Sequence, residues 1–510
     1  MAWSHLDTAI VATLAIATFA LRPLHLILSR PYWLDESWMA ALTRAPWPRL
    51  IGLTSSAPVG FVALLKLVPG TANQGGRLVA IVFVALTAAT AYVLTRSLEW
   101  PSRGAARLAA AVAASVVMLA PVTLRRNDLK QYTCDATCAL VLLAIGSAAD
   151  RTRTRKLLAV FSIVAVVESP FSSTAAFVAI AIFAGLLVSA LLDRSWRWAV
   201  EIIAAGAAVA VVLAVYFAAL ILPHLSDALH TYWSSYYLRG SIPHMAHASW
   251  RRLGALGDYL AMPPAVFVAF FAAGVVALAR LRARALAVSV PVLWIEMALI
   301  GRLHKYPFLD ERTSHFLLVS SLVVVAIGAV ALIYAIATML ARVHRFAGWA
   351  SGVALGAALA SLFGVGVAAH LYELNIPRED VRTETRYVAA HRRPDDVILV
   401  DYAANFGVAY YWPHPHLAFR HNQSGQAFEV HVVGIRAVYV EHRTADATLS
   451  GLREAVRLWR AAPRGSRLFI VRTHVDDRDR RNWNDAFATL QVKPETIPIG
   501  IEKPLVVAGS

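Results

Sequence analysis

Charge is scarce in this chain. Of its 510 residues only 16% are charged while 58% are hydrophobic, and the mean hydropathy is +0.56. That balance excludes a soluble globular protein of this length and marks a polytopic membrane protein. Cysteine is nearly missing, with Cys134 and Cys138 the only two. Four apart in an apolar run, they share a helix face, which suits packing and not a disulfide. The N-terminus lacks a basic segment and a small-residue cleavage site, so its apolar run reads as a retained helix. No glycine-rich loop follows a strand, which removes the nucleotide-binding signature. No internal repeat pairs broken helices in two halves, as many transporters do. Acidic residues are outnumbered, 32 against 48 Lys and Arg, for a formal net charge of +16. In a membrane chain that excess belongs to cytoplasmic loops and calls for no nucleic acid. The abundance of Ala, Val and Arg fits a high-GC bacterium, hence its inner membrane.

What is present is a series of apolar runs. They predict about 11 transmembrane helices, at 6–29, 76–95, 107–124, 132–149, 157–168, 171–192, 199–222, 263–280, 285–301, 315–340 and 347–370. Glu168-Ser169-Pro170 divides one overlong stretch into two. With the N-terminus inside, the inside loops hold Arg96, Arg103 and Arg107, then Arg151, Arg153, Arg155 and Lys156. They also hold Arg194 and Arg197, then Arg280, Arg282 and Arg284, then Arg342 and Arg345. This satisfies the positive-inside rule loop by loop. The loop 223–262 and everything after 370 then fall outside.

Three outside stretches do not fit a bland loop. Arg30-Pro31-Tyr32-Trp33-Leu34-Asp35-Glu36-Ser37-Trp38 puts two carboxylates among aromatics where the chain leaves the bilayer. Charges there are costly without a partner or a task. The simplest alternative makes Asp35 a helix cap and the aromatics an interfacial belt. Arg125-Arg126-Asn127-Asp128-Leu129-Lys130-Gln131-Tyr132 and Gly301-Arg302-Leu303-His304-Lys305-Tyr306-Pro307-Phe308-Leu309-Asp310-Glu311-Arg312 carry cations against the topology signal. A phosphate would hold such cations outside; pairing with Asp128, Asp310 and Glu311, or with lipid headgroups, is the competing account. Carboxylates and cations at helix ends describe a cavity for an anionic lipid head with a base beside it.

Leu34-Asp35-Glu36-Ser37-Trp38 resembles the acidic first-loop motif of the GT-C superfamily of integral-membrane glycosyltransferases, in particular its dolichyl- and polyprenyl-phosphate-sugar-dependent, mannosyltransferase-like members. Ser56-Ala57-Pro58-Val59-Gly60-Phe61 with Leu64-Leu65-Lys66-Leu67 is similar to the proline-containing helix of that loop. Asp128-Leu129-Lys130-Gln131-Tyr132-Thr133-Cys134-Asp135 resembles a Glu-Leu-Lys-Gln-Tyr-Ser-Ser-Asp pattern, and Lys305-Tyr306-Pro307-Phe308 with Arg312 a Tyr-Pro-Phe-Gly-x-Arg loop. The resemblance covers roughly 1–340. Asp128 in place of Glu, Leu309-Asp310-Glu311 in place of small residues, and a missing proline in Ser172-Ser173-Thr174 depart from it.

The resemblance implies sugar transfer from a polyprenyl-phosphate-linked donor to an extracytoplasmic glycan, lipid or protein, with inversion. Asp35 would be the general base, and Glu36 an alternative base, an acceptor ligand or a ligand of a divalent cation such as Mg or Mn. Lys130, Lys305 and Arg312, then Arg125 and Arg126, would hold the donor phosphate. Asp128, Tyr132, His304 and Tyr306 would contact substrate. A lipid-linked-sugar transporter or flippase, which would also need outside cations and a cavity, and a non-catalytic membrane scaffold, which would tolerate loss of Asp35, are the alternatives.

Two further regions complete the reading. The aromatic, basic loop 223–262 should lie on the membrane surface, as a lid or a static interfacial helix. Residues 1–370 form the expected GT-C-like membrane domain and 371–510 an extracytoplasmic α/β domain. Its strands are expected at Val397–Val400, Ala437–Val440 and Leu468–Val471, with helices near 379–391, 449–461 and 479–490. Asp477-Arg478-Asp479 beside His474 mimics a nucleotide-sugar motif but suits helix capping. His414, His416 and His421 lack a carboxylate or cysteine at metal-ligand spacing.

Overall fold

The structure, a computed structural model, describes residues 3–54, 57–68, 75–225, 227–343, 379–422 and 427–508, with isolated positions between 350 and 368. Every predicted span before residue 343 coincides with helix. Among the described residues six helices are long and apolar enough to cross a membrane: Gly76–Arg96, Tyr132–Thr152, Ala175–Leu192, Trp196–His224, Arg284–Arg302 and His315–Arg342. His5–Ala20 and Pro264–Arg280 are shorter apolar helices. Arg103–Leu119 and Arg155–Glu168 fill the two remaining places. The predicted span 347–370, Ser56 of the proline motif and the start of the 371–510 segment lie outside the described residues. The 6–29 stretch breaks in two, His5–Ala20 and Leu24–Ser29, because Pro23 cannot donate the next helical hydrogen bond.

Small residues set the bundle's close contacts. Pro264–Arg280 crosses His315–Val343 at Gly274 and Gly328, where a Cβ on Gly328 would come within 2.2 Å of the Phe270 carbonyl oxygen. The bundle has two chemically distinct ends. At one, the loops read as inside pair with one another: Arg153 and Arg284 share Asp193, and Arg96 and Arg107 share Asp7. The loops read as outside gather at the other.

The C-terminal segment forms an α/β domain. β1 (Val397–Val400) lies between β4 (Ala437–Tyr439) and β5 (Arg467–Val471), all parallel. β7 (Leu505–Ala508) adds antiparallel to β5, and β6 (Glu495–Thr496) to β7, so the sheet is mixed where a mainly parallel one was expected. β2 (His416–Asn422) and β3 (Ala427–Val433) make a separate hairpin. The predicted helices appear as Val381–His391, Ala445–Arg460 and Asp477–Leu490. A further helix, Asn405–Tyr411, is buried along its whole length. It packs on the helix Leu34–Thr43, and Trp38, Phe406 and Phe428 join one core across the two parts of the chain.

Candidate functional site

The acidic stretch begins a helix rather than capping one. Trp33 occupies the N-cap of Leu34–Thr43, so Asp35 and Glu36 lie in its first turn, where negative charge suits the helix dipole. Glu36 accepts from the Trp33 N–H at 3.4 Å, and Glu379 of the α/β domain accepts from the Leu34 N–H at 3.0 Å. With those donors satisfied, the Asp35 carboxylate is free of capping. It accepts instead from Arg312 Nη1 at 2.9 Å, its side chain 29% exposed against 15% for the arginine.

Glu36 has a different environment. It is fully buried and bound twice by Arg77, Nε to Oε1 at 2.6 Å and Nη2 to Oε2 at 2.5 Å. Oε1 also accepts from the Leu129 N–H at 3.1 Å. Arg77 donates further to the carbonyls of Ile27, Arg30 and Pro31. Both carboxylate oxygens are thus taken, and neither a metal ion nor an acceptor hydroxyl fits there without breaking the cluster. Through Leu129, Glu36 ties the acidic turn to the Lys130 loop.

Lys130 is buried with its ammonium 4.5 Å from the Trp38 ring. Burial pushes its pKa down, while Asp35, Asp128 and Glu36 pull it up and Arg312 opposes them. Arg312 comes from the Tyr-Pro-Phe loop. Leu309 there takes a left-handed conformation, φ +58°, with its N–H on Ser314 Oγ at 3.0 Å. Asp310 then accepts from the N–H groups of Arg312 and Thr313 at 3.1 and 2.9 Å. The Asp310 that departs from the related motif therefore fixes the turn that presents Arg312. Tyr232, from the loop 223–262, accepts from Arg312 Nη2 at 3.1 Å, and Trp233 lies 5.4 Å from the guanidinium. Arg252 binds that loop to the Phe308 carbonyl at 3.0 Å.

The other expected residues stand at graded distances. Arg126 lies 3.8 Å from Asp128 and 6.0 Å from the Tyr132 ring. Arg125 lies over Tyr259 at 4.5 Å. The Tyr306 hydroxyl donates to the Thr313 carbonyl at 3.1 Å, and His304 stacks on Tyr237 at 5.0 Å. Lys305 is exposed, and no described contact joins its ammonium to Asp35 or Arg312. In the α/β domain Asp479 serves a capping box with Asp476 and pairs with Arg443. His421 lies 5.9 Å from His224, and no trio of metal-ligating side chains forms among the described residues.

Sequence reasoning missed Arg77, Glu379 and the placement of His474. Arg77 carries the signal that flagged the other cations, a positive charge at the outer end of an apolar span. Glu379 and His474 carry no local signal, since only the docking of the α/β domain brings them to Leu34 and Asp35.

No protein-family model matches the sequence, and no curated protein matches it. Solved structures match it through the fold. The archaeal oligosaccharyltransferase AglB from Archaeoglobus fulgidus, solved with an inhibitory peptide and a dolichol-phosphate, is 11% identical with a TM-score of 0.53. The match covers 91% of this chain and 69% of that one. An Archaeoglobus fulgidus oligosaccharyltransferase with Zn and sulfate is 13% identical with a TM-score of 0.49, over 79% of this chain and 61% of that one. The first of these carries the comparison: over most of its length the chain shares the fold of that membrane oligosaccharyltransferase.

Proposed function

We propose that this chain is a glycosyltransferase that moves a sugar from a polyprenyl-phosphate-linked donor to an extracytoplasmic acceptor, with inversion. One observation carries the reading: Asp35 and Arg312, 277 residues apart, meet at 2.9 Å with Lys130 in their electrostatic field. Three distant loops thus supply one carboxylate and two cations at one point. Arg312 and Lys130 bind the donor phosphate, and the phosphate takes the place of Asp35 on the guanidinium. Asp35, so released, accepts the proton of the acceptor hydroxyl. The acceptor oxygen then forms its bond to the sugar's anomeric carbon as the bond to the phosphate oxygen breaks. Both electrons leave with the polyprenyl phosphate, whose charge the two cations stabilise. Glu36 acts through Arg77 and Leu129, as a positioning residue. Asp128 and Arg126 neutralise each other beside Tyr132, while Arg125, His304, Lys305 and Tyr306 form the outer rim. An open apolar groove of about 320 Å³ lies between the helices Ile242–Ala255 and Arg284–Arg302, with Phe308 and Leu309 in its lining. Its apolar lining suits a prenyl chain, three residues from Arg312.

Decaprenyl phosphate is the direct probe. In full-length protein held in nanodiscs, Lys130→Gln and Arg312→Gln should each weaken its binding about tenfold or more, the scale of a hydrogen bond to a charged group. Unchanged affinity in both variants rejects the shared phosphate site.

In this reading 1–370 is the membrane domain, with about 11 spans, and 371–510 is extracytoplasmic, in a bacterial inner membrane. Ser424, the natural position for a probe, lies outside the described residues, whereas Arg464 is exposed on the α/β domain. The two native cysteines are buried, so Arg464→Cys should give a clean signal. An impermeant maleimide should label it in spheroplasts without permeabilisation. Labelling only after permeabilisation inverts the topology.

A further inference from the structure

Arg126 and Asp128 differ from the other buried ion pairs of this chain. Arg77 and Glu36 share two hydrogen bonds, and Arg96 meets Asp7 at 2.9 Å. Arg126 Nη1 and Asp128 Oδ2 are 3.8 Å apart, too far for a hydrogen bond. Each residue is only 8% exposed. Among the described residues neither side chain makes a hydrogen bond, and Arg126 Nε is buried with no partner. The two charges offset each other, yet the guanidinium donors and the carboxylate lone pairs stay unmet. Leaving such groups buried and unpaired costs stability, so native proteins seldom do it without a use for them.

The chain around the pair is built to hold it still. Arg22, itself buried, donates to Asn127 Oδ1 at 3.1 Å and to the Thr123 carbonyl at 3.4 Å. Asn127 Nδ2 donates to the Leu124 carbonyl at 2.7 Å. On the other side the Leu129 N–H donates to Glu36 at 3.1 Å. The peptide is therefore fixed before and after the pair. The Tyr132 ring lies 6.0 Å from the Arg126 guanidinium.

We propose that Arg126 and Asp128 read the donor's sugar, through hydrogen bonds to two of its neighbouring hydroxyls. This rests on the donor reading above, in which Lys130 binds the phosphate two residues further along the same loop. The sugar is esterified to that phosphate, so it lies beside the loop as well. The chemistry of the pair selects the ligand class. An anion would be repelled by Asp128 and a cation by Arg126. A neutral ligand with hydroxyls suits both, because a hydroxyl can donate and accept. One hydroxyl donates to Asp128 and its neighbour accepts from Arg126. Asp128 stands where the related motif has Glu. The shorter side chain leaves the carboxylate short of the guanidinium, and so leaves both groups for the substrate.

The test uses full-length protein in nanodiscs, with bare decaprenyl phosphate and its mannose, glucose, galactose and arabinose esters as probes. At least one ester should bind wild type about tenfold more tightly than the bare lipid, the scale of hydrogen bonds to charged groups. Arg126→Gln with Asp128→Asn removes both charges together and leaves no buried ion unpaired. That double variant should erase the ester's advantage and bind the bare lipid as wild type does, which also shows that it is folded. An advantage that survives the double variant overturns the proposal, as does a panel in which no ester exceeds the bare lipid. An acceptor KM that rises in the double variant while ester affinity holds would assign the pair to the acceptor and overturn the donor assignment.

Asp128→Glu supplies a second check. Its extra methylene should let the pair close on itself, so the melting temperature should rise while the ester loses its advantage. Ester binding equal to wild type in this more stable variant would make the pair purely structural and overturn the proposal. Wild type that fails to bind the bare lipid would sink the phosphate reading instead. The esters would then decide alone: binding that the double variant abolishes keeps the sugar site, and no binding overturns it.

Discussion

Asp35→Asn should lower turnover by at least about 10²-fold, the low end for a positioned general base. The amide is nearly isosteric but cannot take the acceptor's proton. The fold gives little reason to expect collapse, because Asp35 caps nothing: Glu36 holds the Trp33 N–H and Glu379 the Leu34 N–H. The loss is confined to a partly exposed pair with Arg312, worth at most about 1 kcal/mol. Transfer from a polyprenyl-phosphate sugar in detergent, with a melting curve for each variant, separates the two effects. An Asp35→Asn enzyme with a normal melting curve and near-normal turnover removes the base from the mechanism and returns the chain to a transporter or scaffold. Binding of decaprenyl phosphate should survive this substitution and even tighten, since Arg312 loses its competitor.

Arg77→Met should do the reverse, with its damage in stability. Arg77 and Glu36 are both fully buried. Removing the arginine leaves a carboxylate without its counter-charge and frees the carbonyls of Ile27, Arg30 and Pro31. Breaking a buried pair from one side costs about 3–5 kcal/mol, more than the interaction is worth relative to an apolar pair. The check is the double variant: Arg77→Met with Glu36→Leu should melt well above Arg77→Met alone, although the Leu129 N–H stays unpaired. A single variant that melts like wild type would mean the cluster does not hold the turn. Glu36→Gln should likewise lose activity only as far as it loses folded protein, which distinguishes a positioning carboxylate from a second base.

Much of this was legible in the sequence for a simple reason. A bilayer permits few solutions for an apolar run, so spans could be placed from composition, and charges on the wrong side of a span stood out. That signal singled out Asp35, Lys130 and Arg312, and the structure pairs the first with the last. It could not separate Asp35 from Glu36, because two adjacent carboxylates on a helix point in different directions and only the tertiary contacts say which is buried. It ranked Lys305 with Arg312, although the left-handed turn at Leu309 sends the chain back and carries Arg312 alone to Asp35. The β2–β3 hairpin and the helix Asn405–Tyr411 were not foreseen. Their apolar residues lack a clean period, since that helix is buried on every face between its own domain and the acidic turn.

That shared core has a consequence for how the protein is made. Leu34 and Glu379 are 345 residues apart, and the helix Leu34–Thr43 is covered by residues that leave the ribosome even later. At about 5–20 residues per second, the acidic turn waits roughly 20–70 s after its own synthesis for its covering partner. During that interval Trp38 lacks the Phe428 ring that packs on it, and the Leu34 N–H awaits its acceptor. The end of the molecule that carries Asp35 and Arg312 is therefore the last to become native. A chain stalled or cut before about residue 412 would carry an inserted bundle with an unfinished, adhesive surface, and so would be a natural substrate for membrane quality control.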